Sequence, residues 1–104
     1  VSVVSGVTLI FSLGEDDDAL CGAINWWLDD HGFGPLKPLD DHYGGSKHPQ
    51  INALGGGYNA FLEDEFAQFI MSREWRAPEN VVLVIQPEEG PTRVFAGKGV
   101  EVLR

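Results

Sequence analysis

Residues 81–85, Val-Val-Leu-Val-Ile, form an unbroken apolar run rich in β-branched side chains. A run that short and that apolar predicts a strand buried on both faces near the middle of a sheet. The chain offers neighbours for it. Val7, Leu9 and Phe11 alternate with Thr8, Ile10 and Ser12, which predicts a first strand with at least one buried face. After the central run, residues 86–92 hold two prolines and Gly90 and read as a turn. Residues 93–96 and 99–103 then read as two more short strands, joined by a tight reversal at Gly97-Lys98-Gly99. These last three strands should form an antiparallel meander, with the first strand beside the central one, where the apolar runs match.

Two helices are legible between the first strand and the central one. Glu15, Asp16, Asp17 and Asp18 precede an apolar stripe at Leu20, Ala23, Ile24 and Trp27, so acids stand where a helix amino terminus carries positive partial charge. This helix should run from about 16 to 30, with Gly32 as a left-handed cap. The second stripe is Leu62, Phe66, Phe69 and Ile70. Asn59 is its expected cap, Glu63, Asp64 and Glu65 lie in its first turns, Arg73 and Arg76 lie at its end, and Pro78 stops it. It is expected over about 59–75.

Between the helices, residues 32–57 contain seven of the chain's thirteen glycines and Pro35, Pro38 and Pro49, with no sustained period of 2 or 3.6. They read as an irregular excursion, with a short helix around residues 50–54. With 104 residues the chain suits one domain, 1–104. The order is then β-α-loop-α-β-β-β, and each helix has a single stripe to bury. The expected fold is an α+β two-layer sandwich, two helices on one face of a three- to four-stranded, mainly antiparallel sheet. Its expected core includes Leu9, Phe11, Leu20, Ile24, Trp27, Phe66, Phe69, Ile70, Val82 and Val84.

Charge narrows the partners. Seven basic residues against sixteen acidic ones give a net charge of −9, and residues 1–72 carry all of that excess, with only Lys37 and Lys47 opposing eleven acids. Such a field repels nucleic-acid phosphates and anionic lipid and favours a basic partner. No apolar run approaches the roughly 20 residues that cross a bilayer. Cys21 is the only cysteine, which rules out an intramolecular disulfide or a cysteine-based zinc cage and fits a reducing cytoplasm. Residues 1–11 lack the basic region and cleavage pattern of a signal peptide and read as strand.

Few motifs carry chemistry. Leu-Asp-Asp-His occurs at 28–31 and at 39–42, supplying types of side chain that ligate divalent metals. Adjacent aspartates on a helix point about 100 degrees apart, however, and no spacing of a known metal motif is present. No metal and no cofactor is therefore expected. Gly44-Gly45-Ser46-Lys47-His48 and Gly55-Gly56-Gly57 are glycine-rich but match no phosphate-binding spacing, and the acids at 63–65 would repel an anion at the next helix. They read as tight turns. Cys21 or Ser46 with His42 or His48 as base are the nucleophile candidates, without a triad or elbow signature. Trp26 falls at the edge of the buried stripe, either a flank of the core or an exposed anchor for a partner. Trp75 should plug the end of the core, with an arginine stacked on it.

No family motif is recognised, although in size, acidity and element order the chain resembles small bacterial immunity and accessory proteins in general. The leading expectation is a cytoplasmic, non-enzymatic module that engages a basic protein partner, as an inhibitor does, through Trp26, Asp29, Asp30, Asp40, Asp41, Glu63 and Asp64. The alternative is a small-molecule or metal-dependent enzyme centred on residues 31–59, with His31, His42, Lys47, His48, Asp40 and Tyr58 in one pocket. Convergence of those side chains on a cleft would favour the enzyme. A flat acidic surface would favour the module.

Overall fold

The computed structural model describes residues 3–12, 17–39, 46, 51–75, 77–97 and 100–103. The fold is α+β, with two helices packed on an antiparallel sheet. Strand β1 (Val4–Ser12) leads to helix α1 (Asp17–Asp30), a two-residue strand β2 (Lys37–Pro38), strand β3 (Ile51–Asn59) and helix α2 (Glu63–Met71). A single 3-10 turn (Pro78–Asn80) precedes strands β4 (Val82–Pro87), β5 (Arg93–Ala96) and β6 (Val100–Leu103). The sheet order is β2-β3-β1-β4-β5-β6, and every neighbouring pair is antiparallel. The expected β1–β4 adjacency and the β4-β5-β6 meander are both present.

The main departure from the sequence reading lies at residues 32–57. Residues 51–59 are not loop or helix but the nine-residue strand β3, paired with β1 along its whole length. Among the described residues the sheet therefore has five full strands and the short β2, where three or four strands are expected from the sequence. Gly55, Gly56 and Gly57 are strand interior, opposite Thr8, Val7 and Gly6, so their backbone is engaged in the ladder with β1 and forms no turn or phosphate cradle ahead of α2. Asn59 closes β3 and is not a helix cap. Ala60 then takes a positive φ of 50°, Leu62 is the cap residue without a side-chain bond, and α2 begins at Glu63. At its other end Ser72 and Arg73 donate backbone N–H groups to Gln68 and Ile70, which closes the helix at Met71 instead of 75.

Strand alternation assigns the faces. Val7, Leu9 and Phe11 of β1, Leu83 and Ile85 of β4 and Phe95 of β5 are buried on the side that receives Ile24, Trp27 and Leu28 of α1 and Phe66, Ala67 and Ile70 of α2. Leu9 lies opposite both Leu54 and Leu83, and Phe95 opposite Leu83, so one continuous core runs across β3, β1, β4 and β5. Val82 and Val84 point to the other side and are only half-buried. The 81–85 run is thus fully buried on one face and half-buried on the other. Leu20 and Phe69, expected in the core, are half-buried at its margin.

The ends of the core are closed by aromatic rings. Trp75 is buried, its Nε1 donates to the Ile70 carbonyl at 2.9 Å, and its ring lies 5.2 Å from that of Phe11. Of the two arginines beside it, Arg73 places its guanidinium 4.1 Å above the Phe69 ring, and Arg76 lies outside the described residues. At the opposite side Tyr58, Phe61 and Phe33 pack together, with Tyr58 and Phe61 stacked at 4.8 Å. Gly32 adopts φ +83°, and Phe33 N–H donates to Leu28, so the cap after α1 forms as the sequence indicates.

Candidate functional site

The outer face of α1 is the most unusual surface of the protein. Residues 19, 22, 26, 29 and 30 fall on one stripe at helical spacing, and all five are exposed. Trp26 is 66% exposed, whereas its neighbour Trp27 is 8% exposed. Side chains on a helix lean toward its amino terminus, and the position one turn before Trp26 is Gly22, where an added Cβ would meet nothing within 4 Å. The indole consequently has no cover from its own helix. One turn further on come Asp29 and Asp30, both exposed, and the last turn of α1 contains no basic residue.

The electrostatics there run against helix stability. The carboxy terminus of a helix bears negative partial charge, and each carboxylate placed on it costs about 0.3–1 kcal/mol. His31 follows at once. Its ring stacks on Trp27 at 3.9 Å, with Nδ1 2.8 Å from the Trp27 carbonyl, which occupies it against the helix it terminates. Beyond the cap, Asn25 Oδ1 accepts from Leu36 N–H at 3.1 Å and pins the following segment to α1.

Glu63 and Asp64 sit differently from the expectation of a free acidic surface. Arg93, from β5, reaches both: Nη1 lies 3.3 Å from Glu63 Oε1 and Nη2 lies 2.7 Å from Asp64 Oδ1. The other oxygen of Glu63 accepts from Ser5 Oγ at 2.7 Å, and Ser5 is 2% exposed. Glu63 therefore fixes the start of α2 to β1 and β5. A cleft of about 320 Å³ opens beside this pair, lined by Val3, Glu63, Pro87, Glu89, Pro91 and Arg93. Because Arg93 offsets two of the acids, α1 holds the less compensated negative charge. Sequence reading missed this pairing, since nothing local links residue 93 to residues 63 and 64.

Of the pocket expected at residues 31–59, His31 and Tyr58 are described: the His31 ring stacks on Trp27, and Tyr58 packs against Phe33 and Phe61. Tyr58 is buried, donates its hydroxyl to the Gly34 carbonyl at 2.8 Å, and burial pushes its phenol above the ordinary value. Asp40, Asp41, His42, Lys47 and His48 lie outside the described residues, as does the second Leu-Asp-Asp-His beyond Leu39. Ser46 is exposed, and Cys21 is half-buried against the core. Among the described residues no group of three His, Cys, Asp or Glu side chains is arranged to hold a metal ion, and no helix is long and apolar enough to cross a membrane. Comparison of the chain with models of known families, with curated proteins and with solved structures gave no match.

Proposed function

We propose that the protein is a non-enzymatic acidic module that binds a basic protein partner through the outer face of α1, in the manner of an inhibitor or immunity-type accessory protein. The observation that carries this reading is Trp26, 66% exposed one helical turn from the exposed Asp29 and Asp30. Tryptophan is the commonest type of interface anchor, and a lysine or arginine placed over an indole gains cation–π attraction as well as pairing with nearby carboxylates. The carboxylates add long-range steering of a basic surface toward the anchor. Keeping two acids at a helix carboxy terminus sacrifices stability, which is expected where binding and not folding sets the residue. The net charge of −9 argues against a nucleic-acid partner, and the single cysteine suits a reducing compartment such as the cytoplasm.

The test is capture of a partner from the source cell followed by binding kinetics at two salt concentrations. Replacing Asp29 and Asp30 together by Asn should slow association about tenfold at low salt while raising thermal stability, because the dipole penalty is removed. Trp26→Ala should act on dissociation instead. Glu88→Gln with Glu89→Gln, in the turn between β4 and β5, should change neither rate. An acidic partner, or binding indifferent to salt and to these three residues, would refute the reading.

A further inference from the structure

The fold shows twice what an arginine does beside a ring. Arg93 lies over Phe95 with its guanidinium carbon 5.1 Å from the ring centre, while its two terminal nitrogens reach the adjacent acids Glu63 and Asp64 at 3.3 and 2.7 Å. Arg73 lies 4.1 Å over Phe69 while Nε donates to the Phe69 carbonyl and Nη2 to Ser72 Oγ, both at 3.0 Å. A planar guanidinium covers an aromatic face and still directs its N–H groups sideways to acceptors, whereas an ammonium has no such plane. The outer face of α1 has the same parts without the cation. Asp29 and Asp30 are adjacent acids, Trp26 is a ring one turn before them, and all three are exposed. Among the described residues no basic side chain pairs with either carboxylate. Residues three and four apart on a helix have Cβ atoms about 5–6 Å from one another, so both acids stand beside the indole.

Gly22 is the second observation. It lies inside α1, where glycine weakens a helix relative to alanine, yet its φ is not positive and an added Cβ would meet nothing within 4 Å. Neither backbone conformation nor packing among the described residues calls for glycine there. The Trp26 indole leans toward that position, so the missing side chain leaves the amino-terminal side of the ring open. We infer that this face receives an arginine of the partner: the guanidinium lies on Trp26, its N–H groups turn to Asp29 and Asp30, and Gly22 keeps the ring accessible. The inference rests on the reading of α1 as the partner-binding face and narrows that partner from basic to arginine-bearing. Lysine would supply the charge but not the planar stack, and its ammonium gives up water of hydration less readily than a guanidinium does.

Acetylated and amidated hexa-arginine and hexa-lysine, equal in charge, are the probes, titrated into the intact chain by calorimetry at low salt. The parent protein should bind hexa-arginine about two- to fivefold more tightly, the ratio that an exposed cation–π contact supplies. Trp26→Leu, which keeps bulk without the aromatic face, should bring the two affinities together, and so should Asp29→Asn with Asp30→Asn. Gly22→Leu should lower the ratio as well, with circular dichroism establishing that α1 is intact. Glu88→Gln with Glu89→Gln removes two charges from the turn between β4 and β5 and should leave the ratio as it is. Equal affinity of the parent for the two peptides, a preference for arginine that survives in the Trp26 and aspartate variants, or a ratio unaltered by Gly22→Leu would each overturn the inference. Peptides that bind alike and both weaken in the aspartate variant would refute the selection of arginine and leave the basic-partner reading standing. Affinities untouched by every substitution would refute both.

Discussion

The side chain of Tyr58 folds back over the glycine two residues before it, and that contact makes Gly56 and Gly57 unequal although they are adjacent in one strand. A Cβ added at Gly56 would lie 2.8 Å from the Tyr58 hydroxyl, 3.1 Å from its Cζ and 3.2 Å from Leu36 Cδ2. The ring cannot simply retreat. It is 8% exposed, stacked on Phe61 at 4.8 Å, edge-on to Phe33, and tied to the Gly34 carbonyl at 2.8 Å. Gly56→Ala should therefore lose a hydrogen bond worth about 0.5–1.5 kcal/mol and suffer overpacking of about 1–3 kcal/mol, against a gain of about 0.5–1 kcal/mol from a stiffer unfolded chain. The net expectation is about 1–3 kcal/mol of lost stability. At Gly57 an added Cβ meets nothing within 4 Å, and neither glycine has a positive φ. Gly57→Ala should accordingly be neutral or stabilise by up to about 1 kcal/mol. Urea titration followed by tryptophan fluorescence reads the difference. With an m-value of about 1.5 kcal/mol/M, the two midpoints should differ by about 1 M or more. If Gly56→Ala is as stable as the parent, or Gly57→Ala is the more damaging of the pair, the packing described for Tyr58 is wrong.

Phe66, fully buried between Trp27 and Phe61, should lose about 3–5 kcal/mol on truncation to Ala in the same assay, and a loss under about 1 kcal/mol would mean that α2 does not pack against α1 as described. The raised phenol of Tyr58 sets a sign for alkaline pH: the folded protein holds the proton more tightly, so its contribution is complete below about pH 10 and is lost as pH rises beyond, where the unfolded chain ionises first. Denaturant titrations at pH 9 and 11 should show a smaller alkaline loss in Tyr58→Phe than in the parent, and an equal loss would place the hydroxyl in contact with water. Chelator and reducing agent should leave the melting temperature unchanged, and a fall with chelator would assign a metal to the Asp-His repeats.

The parts of the fold that could be read from the chain are those whose local pattern and tertiary role agree. β1 and β4 are β-branched and lie at the centre of the sheet, and α1 carries both its acids and its stripe in order. β3 could not be read, because Ala53, Gly55, Gly56 and Gly57 have low strand preference and owe their conformation to pairing with β1. A signal existed in Leu54 and Tyr58, two large apolar residues at even spacing, and in a nine-residue β1 that needed partners on both sides. Once β3 ran to Asn59, the second helix had to start later than its apolar stripe indicates. In the candidate site, helical spacing placed Trp26 at the margin of the stripe but could not decide its exposure, which depends on what the chain lays over α1. The hold of Arg93 on Glu63 and Asp64 is set by β5 meeting α2, a contact between segments that carry no shared local signal.

The position of β1 between β3 and β4 also governs how the protein comes into being. Val7 finds its partners at Gly56 and Ile85, so neither neighbour of the central strand is close to it in the chain. Pairings this distant in sequence must meet loop-closure entropy before any contact rewards it, and they slow folding relative to helical proteins of equal length. During synthesis β1 emerges before both of its neighbours. One edge of β1 can pair once β3 has been made, but its other edge stays open until residues 82–87 follow, and that interval is when the protein is most open to aggregation or to a chaperone.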